Sequence, residues 1–403
     1  MTARIAIYAD ALAPPTTAVP SREMLLRLMQ QRRRDRFTFV LCRGSEKSAW
    51  WQDFRRRIDA SASVDEVVLP WSRRVYNALT LAGAKYSPRV SLQADAYICL
   101  DAGTMGPESA PLIQLVTDLS VLKGPAYSSM RWHGRWLFKR RLREGARLAE
   151  RTVCISHATA SDVMRWLPGL AGSVRVIPNG IADEWFAPMP APKHKQRARP
   201  YFIWYGYISP RKNLSRLLNG YAEALKRTGS ALPELLLVGN AGRDETRLTR
   251  EIEALGLEHT VLRLPAQPLA SLIQLVSESR GLAFPSLYEG FGVPIIETFA
   301  RGIPVLTSNV TAMPEVAGGL AGLCDPLDYS SIAQGLISMA QFDQLSLERM
   351  HKRKAYAAGF TAERAASSYS RLIDEVLTGV ALEAVACVRE AETITGDSAY
   401  SPA

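Results

Sequence analysis

The sequence predicts an α/β protein with two doubly wound domains, each built on a mainly parallel sheet. Short apolar runs alternate with longer amphipathic stretches along the chain, which is typical of parallel strands covered by helices. The alternation is interrupted at residues 187–200, where four prolines and four cations occur and where we expect a linker. The 403 residues also exceed one ordinary domain of roughly 150 residues.

Residues 1–187 form the first predicted domain. Apolar runs of four to six residues predict its strands, because such runs suit a buried sheet. The predicted strands are 4–8, 37–42, 66–69, 96–100, 112–115, 151–155 and 174–177. Apolar residues at three- and four-residue steps predict its helices, which are 21–31, 75–84 and 130–150.

The same pattern restarts after the predicted linker, residues 188–200, and defines a second domain at 201–360. Its predicted strands are 201–205, 234–238, 261–264, 281–285 and 304–307, and its predicted helices are 213–227, 244–255, 269–277 and 294–300, with further helices beyond 328. A last helix is expected within 361–380, followed by a small-residue and acidic tail at 381–403. Ligands of such sheets bind at the carboxyl ends of the strands, so we expect the functional site in a cleft between the two domains.

The positive charge of the chain belongs to its first half. The net charge is +10, and residues 1–190 contain 27 Lys+Arg against 17 Asp+Glu. An excess of this kind bears on anionic partners rather than on the fold. No apolar run approaches the ~20 residues that cross a bilayer, and the N-terminus lacks a long apolar signal core, so we expect a cytoplasmic protein. The five cysteines and five histidines have no ligand spacing, which predicts reduced thiols, no metal and no bound cofactor.

Residues 289–297, Glu-Gly-Phe-Gly-Val-Pro-Ile-Ile-Glu, carry the clearest functional signal. They follow a predicted strand, and Pro294 suits the first residue of a helix because it has no N–H to leave unbonded. Gly290 and Gly292 would let backbone N–H groups approach a ligand, and the helix start favours an anion such as phosphate.

Two carboxylates flank this glycine loop. Glu289 is expected on the loop and Glu297 in the first helical turn, where each could accept hydrogen bonds from hydroxyl groups. A phosphate cradle with hydroxyl acceptors predicts a sugar nucleotide site. The alternative is an ordinary helix start stabilised by acidic side chains.

A second charged segment opens the second domain. Gly206 ends the predicted strand 201–205, and Arg211 and Lys212 precede the predicted helix 213–227. Two cations at a helix start oppose the helix dipole unless an anion is present, and a bound diphosphate would satisfy them. The alternative is a pair of solvated surface cations.

These segments resemble, in order and spacing, the motifs of retaining glycosyltransferases of the GT-B fold, family four (glycosyltransferase group 1), with mannosyltransferase-like features. The resemblance covers residues from about 111 to 378. It implies two Rossmann-like domains whose parallel sheets face each other across a cleft, the first binding an acceptor and the second a nucleotide sugar. The matching segments are 154–162, 176–180, 205–213, 236–239, 285–297, 300–305 and 314–316.

The resemblance implies a role for each matching residue. Arg211 and Lys212 neutralise the donor diphosphate, Glu289 faces the transferred sugar, and Glu297 accepts hydrogen bonds from the ribose. The resemblance also implies that catalysis is retaining and requires no metal. The other donor-binding positions implied are Gly206, Leu264, Gly290, Phe291, Gly292 and Val293.

Residues 116–125 resemble the His-Asp-Leu segment of mannosyltransferase-like members. Thr117 stands where histidine is common, and Asp118 is kept. The resemblance implies that Asp118 is a catalytic residue that contacts the donor sugar or the acceptor hydroxyl, with action as a base among its roles. A helix or turn cap accounts for it equally well. The first loop, residues 11–18, departs from many relatives because prolines and threonines replace a glycine pair.

The predicted helix 130–150 is basic and aromatic. Its cations and tryptophans recur at three- and four-residue steps, which suits an anionic membrane surface and a lipid-linked acceptor. A core helix with inward tryptophans and solvated arginines is the alternative. The candidate acceptor or membrane residues are Arg131, Trp132, Arg135, Trp136, Lys139 and Arg140.

The sequence therefore predicts a glycosyltransferase at the inner face of the plasma membrane that builds a surface glycan on a lipid-linked or polysaccharide acceptor. The resemblance favours mannose from GDP-mannose as donor. Transfer of rhamnose or another hexose from a dTDP- or UDP-sugar is the alternative within the class. A sugar-nucleotide epimerase, a phosphorylase and a non-catalytic glycan-binding scaffold are the alternatives outside it. No nucleic-acid-binding signature is present in the sequence, so nucleic acid is not an expected partner.

Overall fold

The computed structural model describes residues 2–13, 19–75, 93–100, 110–128, 130–188, 199–229, 232–240, 245–341 and 347–379. Four predicted segments lie mostly or wholly outside these ranges. Only small parts of the predicted helix 75–84, the first loop and the linker are described, and no residue of the tail 381–403 is. Four of the five cysteines, at positions 42, 99, 154 and 324, are buried and form no disulfide in the part of the chain that the structure describes, as predicted. Within the described ranges, no helix combines the length and apolar character needed to cross a membrane.

The first domain is built on a seven-stranded sheet in which every pairing is parallel. The strand order is β3-β2-β1-β4-β5-β6-β7. Successive strands are therefore added on one side of β1 up to β3 and on its other side from β4 onward. The strands are β1 Arg4–Tyr8, β2 Arg36–Cys42, β3 Ser63–Leu69, β4 Ala96–Cys99, β5 Leu112–Val116, β6 Ala149–Cys154 and β7 Val174–Val176.

Five α-helices of the first domain are described, and three of them were not predicted. In α2, a run of three arginines masks the apolar periodicity of Trp51 and Phe54, which are its buried residues. Helix α4 is shorter than the predicted 130–150 because residue 149 already belongs to β6. The helices are α1 Val19–Gln31, α2 Ala49–Arg57, α3 Ser120–Lys123, α4 Trp132–Leu148 and α5 His157–Trp166, of which α2, α3 and α5 are additions to the prediction.

The second domain is built on a six-stranded parallel sheet with the order β10-β9-β8-β11-β12-β13. All five residues of β8 are buried, and Phe202 and Trp204 lie at the centre of the core. The strand β13 was not predicted, because it has only three residues and Leu323 is exposed. The strands are β8 Tyr201–Tyr205, β9 Glu234–Val238, β10 Val261–Leu264, β11 Gly281–Phe284, β12 Val305–Ser308 and β13 Gly322–Cys324.

The helices of the second domain pack around this sheet, whereas the last described helix packs on the first domain. They are α6 Leu214–Thr228, α7 Glu245–Ala254, α8 Leu269–Glu278, α9 Val293–Ala300, α10 Met313–Ala317, α11 Tyr329–Gln341 and α12 Leu347–Ala357, followed by α13 Ala362–Thr378. Helix α13 packs against α1 of the first domain. Glu375 on α13 accepts hydrogen bonds from Arg151 at 2.9 Å and Arg175 at 3.0 Å, both from the first domain.

The chain therefore passes between the domains twice, and the two passages lie side by side. Ile181 donates its backbone N–H to the carbonyl of Phe360 at 2.8 Å, and Ala362 donates to the carbonyl of Ile181 at 3.3 Å. Gly180 fits against this second passage because a Cβ there would lie 2.4 Å from the carbonyl oxygen of Thr361.

Candidate active site

The site lies where the second sheet reverses its strand order, between β8 and β11. The loop after β8 carries Arg211 and Lys212, and the loop after β11 carries Glu289. Because parallel strands end at the same edge of a sheet, these loops meet although they are far apart in sequence. This is the usual ligand position in a doubly wound sheet.

Glu289 pairs with both predicted cations at once. Its Oε1 accepts from the Lys212 ammonium at 2.7 Å, and its Oε2 accepts from Arg211 Nη1 at 2.7 Å. Glu289 is 6% exposed and Lys212 is 7% exposed. Burial alone would raise the pKa of Glu289, but Arg211 and Lys212 lower it to about 2, so the carboxylate is ionised at neutral pH.

Lys212 is held by more than this ion pair. Burial lowers the pKa of its ammonium group, and the neighbouring Glu289 carboxylate opposes that change. The ammonium also lies 4.5 Å from the centroid of the Phe284 ring, at the end of β11, where the ring face attracts a cation. The alternative in which Arg211 and Lys212 are solvated surface cations is therefore wrong.

Asp118 reaches the cluster from the first domain. Its Oδ2 lies 4.0 Å from Arg211 Nε, while its Oδ1 accepts a hydrogen bond from the backbone N–H of Ser120. The residue thus caps a turn and faces the cluster at the same time. Burial raises the pKa of Asp118, and the charge of Arg211 opposes the rise.

Glu297 is placed differently from the prediction. Helix α9 begins at Val293 with Gly292 as its N-cap at φ 95°, so Pro294 is its second residue and Glu297 its fifth, beyond the first turn. The prediction of a first-turn glutamate is therefore wrong. The Tyr205 hydroxyl donates to Glu297 Oε2 at 2.9 Å. Burial raises the pKa of Glu297 to about 7, although hydrogen bonds from Tyr205 and Trp185 favour its ionised form.

Gly290 is a contact between the domains. A Cβ at this position would lie 1.8 Å from the carbonyl oxygen of Thr117 in the first domain. The carbonyl oxygen of Gly290 accepts hydrogen bonds from Ser156 Oγ at 2.6 Å and from Thr159 Oγ1 at 2.9 Å. The missing side chain lets the two domains meet at the loop of the site. Contact of the Gly290 backbone with a donor stays a prediction.

The remaining predicted donor positions surround this edge of the sheet. Gly206 has φ 145° and donates to the carbonyl of Val238 at 3.0 Å, and Leu264 accepts from the N–H of Gly239 at 3.0 Å. Phe291 is buried, and its ring centroid lies 5.9 Å from that of Phe360. The Phe291 side chain is therefore part of the core. Donor contacts by Gly206, Leu264, Phe291, Gly292 and Val293 stay predictions.

The structure adds residues that the prediction did not assign. Tyr288 comes directly before Glu289, and its hydroxyl donates to Asp162 of the first domain at 2.8 Å. Glu315 on α10 accepts from the backbone N–H groups of His157 and Ala158 at 2.8 and 3.0 Å. Tyr288 and Glu315 lie in segments that carry the family resemblance. Nothing in the sequence indicates that Tyr288 contacts Asp162 or that Glu315 contacts the start of α5.

Helix α4 exposes its tryptophans. Trp132 is 75% exposed and Trp136 is 48% exposed, whereas the buried residues of the helix are Leu142, Gly145 and Ala146. The alternative with inward-packed tryptophans is therefore wrong. Cations lie over exposed rings: Arg140 is 5.6 Å from the centroid of Trp136, and Lys139 is 5.0 Å from that of Trp166 on α5. Arg131 is exposed and Arg135 half-buried on the same helix.

Residues 189–358 match the family of glycosyl transferases group 1. The second domain of the chain is therefore similar to the group 1 glycosyltransferases. That domain contains Arg211, Lys212, Glu289 and Glu297, so the ion cluster and the Glu297 site both lie in the matched segment, and Asp118 lies outside it.

Curated relatives of the chain include mannosyltransferases. The chain is 28% identical over 232 residues to O-antigen chain mannosyltransferase B of Escherichia coli, covering 56% of this chain and 60% of that protein. It is 29% identical over 206 residues to MMP alpha-(1->4)-mannosyltransferase of Mycolicibacterium hassiacum, covering 50% and 47%. It is 32% identical over 229 residues to D-inositol 3-phosphate glycosyltransferase of Nocardia farcinica, covering 53% and 47%. The chain thus spans less than two thirds of each of these relatives.

Solved structures match almost the whole chain. HepE of Anabaena, crystallised with UDP and glucose, has a TM-score of 0.67 at 17% identity and covers 93% of this chain and 100% of its own. Sucrose-phosphate synthase from Thermosynechococcus elongatus has a TM-score of 0.70 at 17% identity, with coverage of 94% and 100%. Together with the two parallel sheets, this confirms the predicted GT-B fold.

Proposed function

We propose that the protein transfers mannose from GDP-mannose to a lipid-linked or polysaccharide acceptor with retention of anomeric configuration. The observation that carries the proposal is the buried cluster of Arg211, Lys212 and Glu289 at the strand switch point of a domain similar to the group 1 glycosyltransferases. The mannosyltransferases among the relatives support mannose as the transferred sugar.

The charges of the cluster suit a diphosphate. Within the second domain, two cations share one carboxylate, which leaves one net positive charge on that side of the cleft before Asp118 of the first domain is counted, and this favours an anion. A donor diphosphate would compete with Glu289 for Arg211 and Lys212. Glu289 would then be free to accept a hydrogen bond from a hydroxyl of the sugar.

In the proposed reaction, the bond between the sugar C1 and the leaving phosphate oxygen breaks, and the acceptor oxygen bonds to C1 on the same face. The acceptor proton passes to the leaving phosphate, so a nucleoside diphosphate is released. Arg211 and Lys212 stabilise the charge that develops on the diphosphate, and we propose that no metal is needed. Asp118 would orient the acceptor hydroxyl from the first domain.

The test is a transfer assay with GDP-mannose and a mannose-terminated lipid-linked acceptor, with the product anomer assigned by NMR. We expect retention, activity in EDTA, and loss of at least about 100-fold in Lys212→Ala and Glu289→Ala. Lys226→Ala, on α6 but away from the site, is the matched control and should be fully active. Inversion, or full activity in both site variants, would overturn the proposal. Donor conversion without acceptor would indicate an epimerase.

A UDP-hexose donor is the second candidate. The structural relative HepE was crystallised with UDP-glucose as well as with UDP and glucose. A thermal-shift comparison of GDP-, UDP- and dTDP-sugars separates the candidates, since a ligand at 100 times its dissociation constant stabilises by about 2.7 kcal/mol. Stabilisation by UDP-sugars alone would exclude GDP-mannose as donor, and no stabilisation by any of them would indicate a glycan-binding scaffold.

We also propose that α4 contacts anionic lipid at the inner face of the plasma membrane. The exposed tryptophans with their neighbouring cations support this, as does the concentration of positive charge in the first half of the chain. Such contact would bring the first domain to a lipid-linked acceptor. Co-sedimentation with phosphatidylglycerol vesicles, and not with phosphatidylcholine vesicles, is the expected result. Equal or absent binding to both would overturn the proposal.

A further inference from the structure

Helix α5 of the first domain is bound by two separate segments of the second domain. The loop after β11 contacts it through Tyr288 and through the carbonyl of Gly290, which bonds to the hydroxyls of Ser156 and Thr159. Helix α10 contacts it through Glu315. The contacts fall within residues 156–162, so they converge on the beginning of one helix.

Tyr288 is the aromatic member of these contacts, and it is buried. Its side chain is 2% exposed, although it projects from a loop of the second domain into the first. Its hydroxyl donates to Asp162, the Lys123 ammonium lies 5.6 Å from its ring centroid, and the Tyr127 ring packs edge-on at 6.4 Å. Lys123 also pairs with Asp162 at 2.8 Å. A buried aromatic ring with a satisfied hydroxyl is the usual anchor of a specific interface.

Glu315 supplies an anion to the start of α5. Its two oxygens accept from His157 and Ala158, whose N–H groups have no partner within the helix because they lie in its first turn. The carboxylate also complements the helix dipole. The second domain therefore completes the N-terminus of a helix that belongs to the first.

We propose that Tyr288 and Glu315 are positioning residues that hold the cleft closed on α5 and thereby set the distance between Asp118 and Arg211. The residues that flank Glu289 are the ones that contact the first domain, so closure also fixes the loop that carries the catalytic carboxylate. Without these contacts, Gly290 is released from Thr117, and the 4.0 Å approach of Asp118 to Arg211 is lost. The expected effect on kcat rests on the proposed function, whereas the closure of the cleft by Tyr288 and Glu315 does not.

Closure is tested without any assay of activity. Hydrogen exchange of the His157 and Ala158 amides is measured in the full chain and in Tyr288→Phe, Glu315→Gln and the double variant. We expect exchange at least about threefold faster in each single variant and a larger radius of gyration by X-ray scattering in the double variant. Glu348→Gln, which removes an exposed carboxylate that pairs with Lys352 on α12, is the matched control and should match the parent protein. Unchanged exchange in both single variants would overturn the proposal.

Measuring kcat and KM of the double variant distinguishes a positioning role of Tyr288 and Glu315 from a purely structural one. Because the donor residues lie in the second domain and Asp118 in the first, the double variant should lower kcat by about tenfold or more while the KM for the nucleotide sugar changes little. A raised KM with unchanged kcat would contradict the positioning role. Should the parent protein show no transfer at all, the proposed function fails, and the exchange measurement still decides whether these residues close the cleft.

Discussion

The ammonium of Lys212 lies 2.7 Å from Oε1 of Glu289, although the two residues are 77 positions apart and follow different strands. Their meeting depends on β8 and β11 being neighbours, which brings the loops after these strands to one edge of the sheet. With Arg211 on the other carboxylate oxygen, the pair forms the charged centre of the proposed donor site.

Removing Glu289 should destabilise the fold as well as stop transfer. Glu289→Leu leaves two buried cations without their carboxylate, which typically costs about 3–5 kcal/mol. Lys212→Met should cost less, because Arg211 continues to pair with Glu289. Urea unfolding of the single variants and of the double variant measures this. We expect the double variant to lose less free energy of unfolding than the sum of the two single losses. A double loss equal to that sum would contradict the pairing.

The same pair predicts an acid-sensitive contribution to stability. The folded-state pKa of Glu289, about 2, lies below its ordinary value of 4.5. The stabilisation by the ionised carboxylate is therefore complete above about pH 4.5 and is lost as the pH falls toward about 2. Glu289→Gln should flatten the stability profile in this range, measured by thermal unfolding. A variant profile parallel to that of the parent protein would show that other groups dominate.

Gly290 should not tolerate any side chain. Gly290→Ala places a Cβ against the backbone carbonyl of Thr117, so the loop and the first domain must separate. A displacement of about 1 Å at a reacting centre can cost on the order of 100-fold in rate, which is the expected loss of transfer. Gly169→Ala, where a Cβ would have no neighbour within 4 Å, is the matched control. Parent-like transfer by Gly290→Ala would show that the domains need not meet here.

Donor affinity should rise with pH through neutrality. The pKa of Glu297 is raised by burial to about 7, and a ribose hydroxyl donates better to the ionised carboxylate. Titration calorimetry with a nucleotide sugar should therefore give weaker binding below about pH 7, approaching tenfold per pH unit at the steepest. A nucleotide sugar is suitable because its diphosphate does not titrate near neutrality. The dependence should disappear in Glu297→Gln, and binding that weakens as the pH rises would contradict this role.

The exposed tryptophans of α4 should affect membrane binding without affecting the fold. Trp132→Ala and Trp136→Ala remove solvent-exposed rings, so each should change stability by no more than about 0.5 kcal/mol. Each should weaken co-sedimentation with anionic vesicles. Trp51→Ala empties a fully buried position of the first domain and should cost about 3–5 kcal/mol, which calibrates the unfolding measurement. Vesicle binding that is unchanged in the double variant of Trp132 and Trp136 would remove α4 from the proposed membrane contact.

Local patterns in the sequence were sufficient to predict most of the fold. Parallel strands buried on both faces appear as continuous apolar runs, and the residues of α13 follow a helical period that places its limits correctly. The apolar pattern did not indicate α5, although Ser156 is a residue type that favours the N-cap of a helix. In the structure its hydroxyl accepts from the N–H of Thr159 and caps α5. The apolar pattern also did not indicate β13, because three residues define no period.

The charged centre of the site was predictable because its residues lie in ordered motifs. The contacts between the domains were not, since Tyr288 and Asp162 are 126 positions apart and Glu315 and His157 are 158 apart, with no periodicity to relate them. The position of Glu297 was misjudged for a local reason. The left-handed conformation of Gly292 starts α9 one residue earlier than Pro294 suggested, which moves Glu297 into the second turn.

Because α13 returns to pack on α1, the first domain is not continuous in sequence. An exchange of the first domain between related proteins would therefore require two inserts, one ending near Ile181 and one beginning near Thr361, joined at the bridge between these residues. A graft of the first insert alone would place a foreign surface against the native α13, and Glu375 would lose the partners Arg151 and Arg175. The unit that can be recombined is the seven-stranded sheet with its own helices together with α13.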